Sequence, residues 1–321
     1  MVKILSNHKS CLAQGAAMQN WQQHLNGDSL AWLLEPENPS VRYWTLIDIL
    51  DRPAGDAEVQ QARAAIAQQP LVKELFALQH PEGYWGDDET KPYNALGAAG
   101  VLNLLYTLGV TPGERTAAGC DSFLKNCQHE RGGFSMTKKL RSGIFPCTTG
   151  EHLRFLVYFG LGEDARVRAA FAFLIEELST DAALDCGRYQ HQDCLWGAIA
   201  ALNGLAVLPM ELRSARSKEA AQRLANKLLD AGYDFEGEHK RWLTFGVPRS
   251  WDLLSALTAL AAHGYTGDAR FAPLLKRMLE RQDLRGTWLC GSVSRTWPIE
   301  KRNRPSKWVT LDALRVLKQA G

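Results

Sequence analysis

The sequence predicts an all-α protein of about six helix-pair repeats of ~50 residues each, closed into an α/α toroid (an α6/α6 barrel). Three observations carry this. Two independent sequence markers recur with one period, apolar helices alternate with amphipathic ones, and the last helix resembles an interior one rather than a polar cap.

The first marker ends a helix with Gln and passes through a Gly turn to an aromatic residue. It is seen at Leu78-Gln-His-Pro-Glu-Gly-Tyr-Trp85, Cys127-Gln-His-Glu-Arg-Gly-Gly-Phe134 and Arg281-Gln-Asp-Leu-Arg-Gly-Thr-Trp288. Gln79 and Gln128 stand 49 residues apart, and Gln128 and Gln282 stand 154 apart, three steps of about 51. The second marker, Asp164-Ala-Arg166 and Asp268-Ala-Arg270, follows a Gly and opens a helix, with a spacing of 104 residues. The signature is eroded near Leu178 and Asp230.

The apolar helices are expected at 39–50, 93–108, 147–159, 191–208, 250–263 and 306–318. They are small and apolar nearly all round, as in Asn94-Ala-Leu-Gly-Ala-Ala-Gly-Val-Leu102, and are therefore expected to be buried on every side. Partner helices at 163–178, 212–229 and 267–282 are amphipathic and rich in Arg, Lys and Glu. Residues 1–28 read as an N-terminal helical extension and 29–321 as one toroid domain.

Composition limits the function. A net charge of +2 in 321 residues, with no basic-aromatic strip, argues against nucleic acid. No run approaches the ~18 apolar residues of a transmembrane segment. The start of the chain does not read as a signal peptide, and seven scattered cysteines are an odd number. Both features suit a reduced, cytoplasmic protein. No nucleotide-binding loop or serine-hydrolase signature is present.

The Gln-Gly-aromatic repeat is similar to the prenyltransferase and squalene-cyclase repeat, and the resemblance covers most of residues 30–321. Within that superfamily the chain resembles a bacterial and archaeal group of stand-alone toroids of unassigned activity. The segments that carry this are Trp32-Leu-Leu-Glu-Pro-Glu-Asn-Pro-Ser-Val-Arg-Tyr43, Phe145-Pro-Cys-Thr-Thr-Gly150, Trp242-Leu-Thr-Phe-Gly-Val-Pro248 and Arg304-Pro-Ser-Lys-Trp-Val-Thr310. The resemblance implies an α6/α6 toroid and says much less about chemistry.

In such a toroid the first turns of the inner helices meet at one mouth, where unpaired N–H groups and helix dipoles converge. Those turns carry Arg42, Trp44, Tyr93, Trp196, Trp251 and Trp308, an aromatic set suited to a hydrophobic or cationic small molecule, or equally to ordinary core. His191 and Cys194, three apart, share a helix face. With Cys147 and Cys186 they form a conceivable zinc set, and the alternative is small buried cysteines beside a hydrogen-bonded His. Protein prenyltransferases bind zinc through Asp, Cys and His, which Asp193-Cys194 partly resembles, although no His follows on the next inner helix, where Trp251-Asp252 stands. His191, Asp193 and Asp252 are the candidates for acid/base work. The sequence lacks the Asp-x-Asp-Asp motif of proton-initiated cyclases, and Asp87-Asp88-Glu89 reads as a solvated acidic turn. The faces of His152 and Arg154 are not fixed by the sequence.

Three functions follow as expectations: a transferase- or cyclase-like enzyme acting on an isoprenoid-like molecule with zinc, a non-catalytic toroid binding a ligand or peptide, or a toroid subunit of a hetero-complex.

Overall fold

The computed structural model describes residues 20–94, 96–135, 143–180, 184, 194–231, 233, 240–247 and 252–321. The protein is mostly helical. The described residues form α1 (Leu30–Leu33), α2 (Pro39–Trp44), α3 (Ala57–Ile66), α4 (Pro70–Ala77), α5 (Ala98–Thr107), α6 (Glu114–Cys127) and α7 (Pro146–Tyr158). These are followed by α8 (Ala165–Glu177), α9 (Leu195–Ala206), α10 (Ala215–Asp230), α11 (Leu253–Ala262), α12 (Phe271–Leu279) and α13 (Lys307–Ala320). Four short strands, β1 (Gly246–Val247), β2 (Trp288–Cys290), β3 (Ser292–Val293) and β4 (Arg304–Ser306), pair as parallel β1–β3 and antiparallel β2–β4.

Local chemistry sets where the helices begin. Pro39, Pro70 and Pro146 occupy first-turn positions, where the missing N–H costs nothing. Elsewhere a short polar side chain caps the first turn. Asp56 accepts from the Glu58 N–H at 2.9 Å, Ser214 from Ser217 at 3.2 Å and Ser306 from Val309 at 3.1 Å. α2 runs into one π-helical turn at Thr45–Ile49.

Helix α5 starts later than the sequence suggests, so Tyr93 and Asn94 lie in a turn rather than in its first turn. The Gly97 N–H donates to Asn94 O at 2.8 Å, and a Cβ on Gly97 would stand 2.4 Å from Pro92 O. The chain therefore folds back on itself before the helix begins.

Packing follows the predicted pairing. α2 lies against α3, α5 against α6, α7 against α8, α9 against α10 and α11 against α12. The first members of these pairs also touch one another in order: α5 meets α7, α7 meets α9, α9 meets α11, α11 meets α13, and α13 meets α2 and its π turn. The Trp44 Nε1–H donates to Thr107 O at 2.9 Å, joining α2 to α5. α7 and α9 approach most closely, because a Cβ on Gly204 would stand 2.4 Å from Gly150 Cα. Only a hydrogen side chain permits that contact.

The repeated turn has a common physical basis. Gln79 Nε2 donates to Gly83 O and to Arg115 O, both at 2.9 Å, so it ties its own turn to the next amphipathic helix. Gln128 Nε2 does the same to Gly132 O at 2.8 Å and Arg166 O at 2.6 Å. Gln282 turns instead to the N-terminal segment, donating to His24 O at 3.5 Å and accepting from the Asn26 N–H. The glycines repeat the pattern. At φ of +93°, +92° and +75°, Gly83, Gly132 and Gly286 press on Ala118 O, Ala169 O and Gly27 O, each 2.4 Å from where a Cβ would stand. Trp85 and Trp288 are both buried, and their Nε1–H groups donate to the carbonyls of Leu75 and Met278, each ten residues back, at 2.7 and 2.8 Å.

The second marker is an ion-pair clamp. Arg166 bridges Asp164 and Asp121, and Arg270 bridges Asp268 and Asp230, all four contacts at 2.7 Å.

Among the described residues no helix is long and apolar enough to cross a membrane.

Candidate functional site: a charged cavity between six helices

α2 with its π turn, α5, α7, α9, α11 and α13 all contribute to a cavity of about 670 Å³. Its lining comprises Trp44, Ile47, Asp48 and Asp51; Asn103, Tyr106 and Thr107; Glu151 and Arg154; Ile199, Ala200 and Asn203; Gly246 and Val247; Ser255 and Thr258; and Trp308, Asp312, Arg315, Lys318 and Gln319. These positions recur at intervals of three and four, as in Trp308, Asp312, Arg315 and Gln319, so one face of each helix is turned to the cavity, polar on α7 and α11 and mixed on the others.

These helices are thus not apolar all round. The expectation from the sequence failed because a stripe of one polar residue per turn is outweighed by surrounding Leu and Ala when a helix is judged by its average.

The charges are arranged unevenly. Arg315 Nε donates to Asp48 Oδ2 at 2.8 Å and its Nη1 to Asp312 Oδ1 at 2.6 Å, while its guanidinium lies 5.4 Å from the Trp44 ring centre. Burial opposes that charge, but Asp312 and Asp48 outweigh it, and the guanidinium is held more firmly protonated than usual. Lys318 Nζ donates to Asp51 Oδ1 at 2.6 Å and to Asp48 O at 2.8 Å.

Arg154 differs. Its Nη2 donates to the Tyr106 hydroxyl at 3.1 Å and its guanidinium carbon lies 5.3 Å from that ring's centre. Among the described residues no carboxylate lies within ion-pairing distance of it. Its neighbour His152 faces the other way, buried among Phe123, Phe155 and Tyr93 at ring-centre distances of 5.1–5.4 Å.

Of the residues expected to bind a ligand, Trp44 and the buried Trp308 line this cavity. Trp196 is half-buried in the first turn of α9 and packs against the core outside the lining. Tyr93 sits in the turn before α5, edge-on to His152. Arg42 donates to Leu34 O and pairs with Glu58 at 3.0 Å. Asp252 is buried and caps α11, Oδ1 accepting from the Ser255 N–H at 2.9 Å and Oδ2 from the Gly246 N–H at 3.0 Å.

The cysteine set is described in part. Cys147 and Cys194 open α7 and α9, and their Cβ atoms lie 3.7 and 3.6 Å from the point where a Gly197 Cβ would stand, so the two are neighbours. Cys194 Sγ accepts the Gly197 N–H at 3.4 Å as an N-cap. Burial pushes the Cys147 thiol up to about 11, against a lowering contact with Thr148 and with a further raising effect from Cys194. Cys186, His191, Asp193 and Trp251 lie outside the described residues. Among the described residues no group of three His, Cys, Asp or Glu is placed to hold a metal. In the Asp87-Asp88-Glu89 turn, Asp88 accepts from the Thr90 N–H at 2.9 Å and pairs with Lys91 at 2.9 Å, and Glu89 pairs with Lys125 at 3.7 Å.

No family model matches the chain, and no curated protein matches it. A solved crystal structure of a protein from Actinoplanes is similar at 16% identity and a TM-score of 0.44, covering 88% of this chain and 90% of that one.

Proposed function

We propose that this chain is an α/α toroid of the prenyltransferase and squalene-cyclase-repeat kind whose central cavity binds a small organic molecule. The cyclic order of helix contacts supports the toroid, as does the third Gln turn, in which Gln282 and Gly286 grip the N-terminal segment as Gln79 and Gly83 grip the next helix.

The single observation that carries the function is the cavity itself. About 670 Å³ lies within the range that holds drug-sized ligands, and every inner helix lends it a side chain. Trp44 and Ile47, both half-buried, offer apolar surface for an isoprenoid-like body. A bare hydrocarbon would strip water from Asp48, Asp312, Arg315 and Glu151 without replacing its hydrogen bonds. A ligand with both an apolar body and a polar head fits that lining better.

Binding rather than catalysis is the reading favoured here, because both Asp252 oxygens are engaged in backbone capping. The approach of Cys147 to Cys194 keeps a zinc-dependent enzyme as the second reading. Metal analysis of purified protein separates the two: about one zinc per chain, lost on Cys194→Ala, favours the enzyme.

Filling the cavity tests the main reading. Compounds that raise the melting temperature of the native protein should fail to do so in Asn203→Phe. Equal stabilisation of both proteins would place the ligand elsewhere.

A further inference from the structure

We infer that the cavity is built for a monocarboxylate with an apolar or aromatic body, and that Arg154 is the residue that receives the carboxylate. The inference rests on the cavity-binding reading above and names the class of ligand.

Arg315 and Lys318 are already answered by Asp48, Asp312 and Asp51 at 2.5–2.8 Å. Arg154 is different among the three cavity cations. A guanidinium has five N–H donors, and at Arg154 one of them is engaged by the Tyr106 hydroxyl. That contact and the Tyr106 ring, whose centre lies 5.3 Å from the guanidinium carbon, restrain the group. No other acceptor meets it among the described residues, so a two-pronged edge stays available. Planar, bidentate pairing with a carboxylate is what a restrained guanidinium does best.

Charge selects the ligand's valence. Four carboxylates, Asp48, Asp51, Glu151 and Asp312, face three cations in the lining. With four carboxylates to three cations the lining carries one excess negative charge, so a diphosphate is repelled more strongly than a single carboxylate held at Arg154. The side-chain amide of Asn103 adds a neutral donor and acceptor beside Tyr106. The half-buried side chains of Trp44 and Ile47 in the same cavity suit the rest of the molecule.

Calorimetric titration with phenylacetate, 3-phenylpropionate and 4-phenylbutyrate, each beside its primary amide, tests this, with pyrophosphate as a multiply charged competitor. At least one acid should bind tenfold or more tightly than its amide. Arg154→Gln should bring that acid down to the level of the amide, Arg154→Lys should fall between, and pyrophosphate should compete poorly. Circular dichroism establishes that the variants are folded. Three results overturn the inference: no acid binds, acid and amide bind equally, or Arg154→Gln keeps the preference for the acid. Amides that bind the native protein and not Asn203→Phe, without any preference for acid, would end the carboxylate assignment and leave the cavity reading intact.

Discussion

The turns at the edge of the helix pairs and the cavity between them obey opposite rules. At the edge, Gln79 and Gln128 make the same two bonds with the same atom, and Gly83, Gly132 and Gly286 each face a carbonyl oxygen 2.4 Å from where a Cβ would stand. In the cavity no two helices show the same face: Asn103 and Tyr106 on one, Glu151 and Arg154 on the next, Asn203, then Ser255 and Thr258, then Asp312 and Arg315. Where one packing problem recurs, one side-chain solution recurs with it. Where the helices jointly meet something else, they diverge. Repetition inside this chain therefore marks what holds the fold, and its absence marks a surface shaped for another purpose.

The comparison can be broken most forcefully at the edge glycines. Gly132→Ala forces a Cβ to 2.4 Å from Ala169 O at a φ of +92°, adding overpacking to backbone strain. A loss of about 3–5 kcal/mol is expected in urea unfolding. Gly55→Ala, with nothing within 4 Å, should change stability by less than ~0.5 kcal/mol and serves as the control.

Next in size is the cavity clamp. Arg315→Met leaves Asp48 and Asp312 facing each other without a cation. Breaking a fully buried pair costs about 3–5 kcal/mol, and the 23–40% exposure of these side chains reduces the expectation to about 2 kcal/mol. Gln128→Ala should cost about 1–2 kcal/mol for two bonds to backbone carbonyls, and Gln79→Ala, which also loses the bond accepted from Arg115 Nε–H at 3.0 Å, should cost at least as much.

A smaller effect concerns the cysteines at the start of α7 and α9. With its thiol pushed up to about 11, Cys147 should be about one part in a thousand thiolate at pH 8, whereas an ordinary thiol near 8.5 is roughly one quarter ionised. Its alkylation rate, followed by mass spectrometry of the labelled peptide, should rise about tenfold per pH unit from 8 to 10 rather than level off near 9. A plateau near pH 9 would show that the thiol is not held in an apolar site.

Much of this edge was legible in the sequence, because a Gln, a Gly and an aromatic residue at fixed offsets are each required by a specific contact. The Asp-Ala-Arg marker was legible for a similar reason, since Arg166 and Arg270 clamp matching aspartates and so tie α8 to α6 and the start of α12 to α10. The cavity was legible at Trp44 and Trp308, and Arg154 was visible as a candidate whose side the sequence left open. Asn103, Glu151, Asn203, Asp312 and Arg315 escaped because each is a single polar residue per turn inside an apolar segment, and only spacing of three and four shows that they share a face. Tyr93 was misplaced for a different reason. The start of α5 depends on Gly97 closing against Pro92 O, a tertiary detail that helix propensity does not encode.

The contrast between the two regions is tested most directly at Arg154, in urea unfolding of Arg154→Met beside Gln128→Ala. Arg154 has one hydrogen bond and no carboxylate partner among the described residues, so its charge is desolvated without full compensation. Arg154→Met should then unfold within about 1 kcal/mol of the native protein, as expected where a polar group is kept for a ligand rather than for the fold. A loss of 2 kcal/mol or more, equal to or beyond that of Gln128→Ala, would make Arg154 part of the scaffold and contradict the account of the cavity.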